Sequence, residues 1–192
     1  MKAVGILALQ GAFREHVLMF RRCGAEAAEV RLPGELEDVS GLVIPGGEST
    51  TMTKLMVEYG FPDRIRAFLN AGNPIFGTCA GAIVLSGRLG GEKQDILNLI
   101  DMDVERNAYG RQVESRETEI AIAALGSPAF PAVFIRAPII RAVGREVEPL
   151  ADYEDTVVFA RQGKVLVATF HPELTDDPRI HRYFLRMIEG AI

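Results

Sequence analysis

Cys79 stands between Gly77 and Gly81 in the stretch "FGTCAGAIVL". The apolar run Pro74-Ile75-Phe76 ends there, and Ala82-Ile83-Val84-Leu85 starts a second one. This reads as a buried strand turning sharply into a helix, with sulfur at the bend, the form of a nucleophile elbow. Small residues on both sides let the backbone bend tightly. A helix opening at Ala80 would aim free N–H groups and its positive dipole end at the sulfur. Such surroundings favour thiolate, and the same N–H groups can hold an oxyanion. On spacing alone, a small buried cysteine in a strand–helix seam is the competing reading.

A thiol nucleophile needs a base, and the chain has three histidines: His16, His171 and His181. His16 falls in a helical pattern among charged residues and His181 in the last helix, so both read as surface residues. His171 follows the apolar run Val165 to Phe170 in "ATFHPEL". In extended chain His171 and Glu173 point to the same side. A carboxylate there can fix the imidazole's tautomer and stabilise its charged form. A loop His-Pro-Glu without a task is the alternative. Cys23, beside Arg22 and Gly24, has no such setting and reads as structural.

The third piece is "PGGEST", residues 45 to 50. Two glycines between a strand and a helix let the backbone approach a ligand closely. The Gly-Lys-Ser/Thr ending of a Walker loop is missing. A glycine N–H here can supply a second oxyanion donor; a plain tight turn is the other reading.

The elements that must carry these residues follow from patterning. Val4 to Leu9 is a continuous apolar run, as in a strand buried on both faces. Phe13, Val17 and Phe20 recur at helical spacing, with Gly24 as a stop. Further strands are expected at Glu26 to Leu32, Gly41 to Ile44 and Pro74 to Thr78. Helices are expected from a Ser49 or Thr50 cap to about Tyr59, over Pro62 to Asn70, and from Ala80. Strand then helix, repeated, predicts an α/β fold with a mostly parallel sheet and helices on both faces. Ligands collect at the carboxyl ends of such strands. Gln10-Gly11, Gly46-Gly47-Glu48-Ser49 and Thr78-Cys79-Ala80 all fall there. The second half is β-rich: "ETEIAIAAL", "AVFIRAPII", "DTVVFARQ" and "KVLVATF", the last two joined by a turn at Gly163. These predict antiparallel or mixed strands added to the parallel core. A final helix runs from Pro178 to about Glu189 with Ile180, Phe184 and Ile188 on one face.

The 192 residues suit a single domain spanning 1–192, and 48% hydrophobic residues supply a core. A net charge of −5 with scattered cations argues against nucleic acid as a partner. Two cysteines in unrelated contexts suggest a reducing cytoplasm. Metal-ligand spacing is missing, and no apolar stretch is long enough for a membrane span or a signal peptide.

Together "GTCAG", "HPE" and the "PGGEST" loop resemble the class-I, triad-type glutamine amidotransferases. "LALQGAFREH", "VERNAYGRQ" and "FIRAP" are similar to one branch, the glutaminase subunit of the two-component pyridoxal 5'-phosphate synthase. The similarity runs from about residue 3 to residue 188. It implies a flavodoxin-like three-layer sandwich. Cys79 would attack the carboxamide of L-glutamine, His171 would shuttle the proton, and Glu173 would orient His171. Backbone N–H groups of Gly47 and Ala80 would form the oxyanion hole. Gly47, Glu48, Ser49, Arg106, Ile135 and Arg136 would hold glutamine. From the residues alone, Arg106 and Arg136 read as surface salt-bridge partners. The resemblance also implies a partner, a (β/α)-barrel synthase subunit, which takes the ammonia, and no cofactor of the chain's own. Two rivals stand beside it. One is the glutaminase of another class-I system, from which "VERNAYGRQ" and "LQGAFREH" point away. The other is a non-catalytic α/β module with Cys79 as a redox-sensing thiol, which has no need of His171 and Glu173.

Overall fold

The computed structural model describes residues 3–94, 96–106 and 115–192. Its first half contains β1 (Ala3–Leu7), α1 (Phe13–Arg22), β2 (Ala27–Val30), β3 (Val39–Ile44), α2 (Ser49–Glu58), α3 (Phe61–Asn70), β4 (Ile75–Thr78) and α4 (Ala80–Leu85). The second half adds β5 (Ser86–Leu89), β6 (Glu92–Lys93), β7 (Ile100–Glu105), β8 (Ser115–Ile120), β9 (Phe130–Ile135), β10 (Ile139–Val143), β11 (Glu148–Tyr153), β12 (Thr156–Gln162), β13 (Val165–Ala168) and α5 (Arg179–Ile188).

The main sheet runs β2-β1-β3-β4-β13-β12-β10-β7-β5-β6, with β11 paired to β12. Its first five strands are parallel. This is the flavodoxin-like order, in which the chain reverses direction across the sheet between β1 and β3. The four inner strands β1, β3, β4 and β13 are largely apolar on both faces because both faces are covered, whereas edge strand β2 exposes Glu29. Leu7, Leu42, Ile44, Ile75, Val165 and Val167 pack toward Met52 and Met56 of α2 and Phe61 and Ile65 of α3. Their alternates Ile6, Val43, Phe76, Leu166 and Ala168 pack toward Phe20 of α1 and Ile180 and Phe184 of α5. The result is the expected three-layer α/β sandwich.

Four details differ from the patterning. Between β2 and β3 lies a 3-10 segment, Pro33–Asp38, in place of a full helix. Neither Ser49 nor Thr50 caps α2: the cap is Glu48, whose carboxylate accepts from Thr50 N–H at 3.0 Å and Thr51 N–H at 2.7 Å. "AVFIRAPII" breaks at Arg136, whose φ is 43°, so β9 pairs with β8 in a separate ribbon while β10 joins the main sheet. Finally, β13 is antiparallel to β12 as the hairpin pattern predicts, yet it also pairs in parallel with β4. It is therefore the fifth strand of the parallel core, and its carboxyl end opens beside that of β4.

Candidate active site

The turn after β4 is built from two glycines in contact. A Cβ on Gly77 would lie 2.7 Å from the Gly81 carbonyl carbon, closer than real side chains come. Between them Cys79 adopts φ 48° and ψ −104°, a left-handed conformation that costs a non-glycine residue about 1–3 kcal/mol. Its N–H donates to Ala168 O at 2.8 Å, which locks the bend onto the end of β13. Cys79 is buried, and its sulfur lies 3.9 Å from the carbonyl of Ile135.

His171 reaches the same point from β13. Its backbone N–H is held by Val133 O of β9 at 2.8 Å. Its Nδ1 lies 2.7 Å from Glu173 Oε1, with the carboxylate fully buried. On the other side the ring faces the Cys79 side chain across the Gly46 turn. Burial disfavours the imidazolium, but the interactions with Cys79 and with the buried Glu173 carboxylate outweigh it and push His171 up to about 10. The ring is thus held as the cation beside a sulfur. Gly46 makes room for it: any side chain there would run into the His171 ring and meet Cys79 Cβ at 3.3 Å.

Cys79 and His171 open into a cavity of about 430 Å³. Gly47, Glu48, Ser49, Ala80, Arg106, Ile135 and Arg136 line it as well, so every expected site residue except Glu173 faces the same space. Glu173 sits behind His171. The cations are arranged differently from one another. Arg106, just past β7, donates to Thr50 Oγ1 at 3.2 Å, whereas Arg136 stands at the break between β9 and β10. The Glu48 carboxylate is turned toward the first turn of α2. Hydrogen bonds from Thr51 and Thr50 hold it down at about 2. Residues 107–112 of "VERNAYGRQ" lie outside the described residues.

Patterning placed the Gln10-Gly11 turn at this edge without its contacts, and it missed two further participants, so three residues need adding to the site. Gln10 lines the cavity, and its Oε1 accepts from Glu48 N–H at 2.9 Å. Ala12 N–H donates to Gly46 O at 3.0 Å. The loop after β1 therefore holds both ends of the Gly46-Gly47 turn, a cross-strand link that no local spacing reveals. The third is His16, and here the expectation of surface histidines was wrong. His16 and His181 are both fully buried. They are helix residues on the faces that α1 and α5 turn to the sheet, and charged neighbours in sequence lie on the opposite face. Burial keeps both neutral: His16 is held well below its usual range and His181 is lowered to about 3.

A family model described as SNO glutamine amidotransferase matches residues 6–190. The chain belongs to that family. It is 56% identical over 182 residues to the protein named pyridoxal 5'-phosphate synthase subunit PdxT of Pelotomaculum thermopropionicum, covering 95% of this chain and 93% of that one. The chain also superimposes on a crystal structure described as a glutamine amidotransferase, with TM-score 0.92, 50% identity, and coverage of 97% and 99%. A structure described as PurLQS from Thermotoga maritima shares the fold at TM-score 0.71 and 16% identity, over 97% of this chain and 99% of that one. Among the described residues no helix is long and apolar enough to cross a membrane.

Proposed function

We propose that this chain is the glutaminase subunit of a pyridoxal 5'-phosphate synthase. It converts L-glutamine to L-glutamate and ammonia and delivers the ammonia to a (β/α)-barrel synthase subunit in the cytoplasm. The relatives' shared name supports the pathway. One observation carries the chemistry: a buried thiol and a buried imidazole face one cavity, and a buried carboxylate bonds the imidazole from behind at 2.7 Å.

In this reading the Cys79 thiolate attacks the carboxamide carbon of glutamine. The carbonyl oxygen becomes an oxyanion, stabilised by the N–H groups of Gly47 and Ala80. His171, already carrying a proton, gives it to the departing nitrogen, and ammonia leaves with formation of a glutamyl thioester. His171, now neutral, takes a proton from water, whose oxygen attacks the thioester carbonyl. Collapse expels the thiolate, releases glutamate and restores the imidazolium. Glu173 accepts from Nδ1 throughout, fixing which nitrogen faces the sulfur. Arg106 and Arg136 supply positive charge for the α-carboxylate of glutamine. Ile135 and the Gly47-Glu48-Ser49 backbone shape the space around it.

The oxyanion donor at Gly47 lies in a turn anchored by Gln10 and Ala12. A partner docking on the "LQGAFREH" segment would press on those anchors. It could select the peptide orientation that presents N–H to the site. The test is steady-state release of ammonia from glutamine with and without the synthase subunit. Strong stimulation is expected. Glutamine turnover that survives intact in Cys79→Ala would overturn the reading.

A further inference from the structure

A second buried polar chain backs onto Glu173. His16 Nε2 lies 3.4 Å from Glu173 Oε2 and 3.1 Å from Thr78 Oγ1. His16 Nδ1 lies 3.0 Å from His181 Nε2. Phe76 and Phe20 pack edge-on against these rings, so among the described neighbours the cluster is walled by aromatic carbon. Glu173 Oε2 and His181 Nδ1 are both buried and make no hydrogen bond.

We propose that His16 is a positioning residue of the triad, holding Glu173 through its second carboxylate oxygen while His181 fixes the tautomer of His16. The inference rests on Glu173 acting as the group that orients His171. Two proton arrangements fit the distances. In one, His181 Nε2–H donates to His16 Nδ1, and His16 Nε2–H points at Thr78 Oγ1 and the carboxylate. On the histidines, what remains unpaired is then a bare ring nitrogen on His181, and the Thr78 hydroxyl serves His16 as acceptor. In the other, every proton is reversed. A nitrogen lone pair would then face the anionic oxygen, and His181 would bury an unpaired N–H. Orphaned buried N–H groups are the rarer of the two, and a lone pair opposite a carboxylate is repulsive. The geometry therefore selects the first arrangement. His171 and His16 then present N–H groups to the two oxygens of Glu173 from opposite sides. Rotation of the carboxylate would lose the 2.7 Å bond to His171 and the 3.4 Å electrostatic approach of the His16 N–H, which is shared with Thr78.

The direct test is nitrogen NMR of the histidine-labelled wild-type chain at about pH 7. His16 should be neutral with its proton on Nε2, and a proton on Nδ1 instead would overturn the assignment. The kinetic test uses the complex with the synthase subunit. His16→Leu should lower kcat about 10- to 100-fold, the scale seen when a supporting partner of a site ligand is removed. KM for glutamine should move less than about twofold, because no glutamine contact is lost. His16→Gln, which keeps an N–H near the Nε2 position, should recover most of kcat. If His16→Leu fails to fold, His181→Phe keeps the aromatic packing, and a fall in kcat at unchanged KM is still expected. Unchanged kcat in a folded His16→Leu or His181→Phe protein, or equal loss in His16→Gln and His16→Leu, would overturn the role. Full turnover in Cys79→Ala would overturn the triad and the role of His16 with it. An active triad indifferent to His16 overturns only the latter.

Discussion

Gln10 Oε1 accepts a hydrogen bond from the backbone N–H of Glu48 across 2.9 Å, joining the loop after β1 to the loop after β3. These loops flank the point where the strand order reverses. The bond ties the turn that carries Gly47 to the segment leading into α1. Removing it should loosen the proposed oxyanion donor without touching the nucleophile. Gln10→Ala is expected to lower partner-stimulated kcat by about tenfold, less than the 10²–10³ lost with a whole donor. The rate of Cys79 alkylation by a small haloacetamide should be unchanged. Steady-state ammonia release and a thiol-labelling time course check the two halves.

Cys79→Ala should abolish glutamine hydrolysis and leave the fold intact, because alanine fits the same space between Gly77 and Gly81. The substitution also removes a side chain beside His171, so the imidazole loses one of the interactions that raise it. Cys23→Ala should leave activity unchanged, since the Cys23 sulfur lies near Pro178 O, at 4.0 Å, and Arg182, and does not line the cavity. Mass spectrometry after glutamine addition should show a glutamyl adduct on Cys79 and none on Cys23.

Gly46→Ala is expected to fold and to be inactive. The added methyl would occupy the place of the His171 ring and press on Cys79 Cβ, displacing the imidazole from the sulfur. Thermal unfolding and ammonia release measured side by side should show a modest loss of Tm against a loss of turnover of several orders of magnitude. Wild-type turnover in Gly46→Ala would show that His171 need not stand where it does.

The three histidines set a pH optimum of stability. His181 and His16 are lowered in the folded state, so below the unfolded value of about 6.5 the unfolded chain binds more protons. Stability should fall as pH drops from about 6.5 toward 3. His171 is raised to about 10, so its contribution is complete below about 6.5 and is lost as pH climbs toward 10. Denaturant midpoints across pH should therefore peak near 6.5. His181→Phe should flatten the acid side, and His171→Asn the alkaline side.

The partner test concerns rate and not stability. The isolated chain should release ammonia slowly, and saturating synthase subunit should raise kcat strongly. Equal rates with and without it would remove the gating by the Gly46-Gly47 turn and leave the triad standing.

What the sequence determined by itself is what depends on neighbours along the chain. Apolar runs marked β1, β3 and β4 because strands covered on both faces must be apolar throughout. Gly77 and Gly81 flank Cys79 because only a bend without side chains brings β4 into α4. The 2.7 Å contact of His171 with Glu173 is local too, but a 3-10 turn over Pro172–Leu174 makes it, not the extended alternation that the sequence suggested. The motif resemblance then named the family, which a model matching residues 6–190 shows. Tertiary structure decided whatever depends on partners far along the chain. It paired β13 with β4 in parallel, because the hairpin from β12 delivers that strand into the sheet. It put Gln10 against Glu48, 38 residues away, and His16 against His181, 165 residues away. Charged neighbours made His16 look exposed, and a place in the last helix made His181 look so. In each helix the charged neighbours lie on the outer face, and only the packing of α1 and α5 onto one side of the sheet turned the two rings toward each other and toward Glu173.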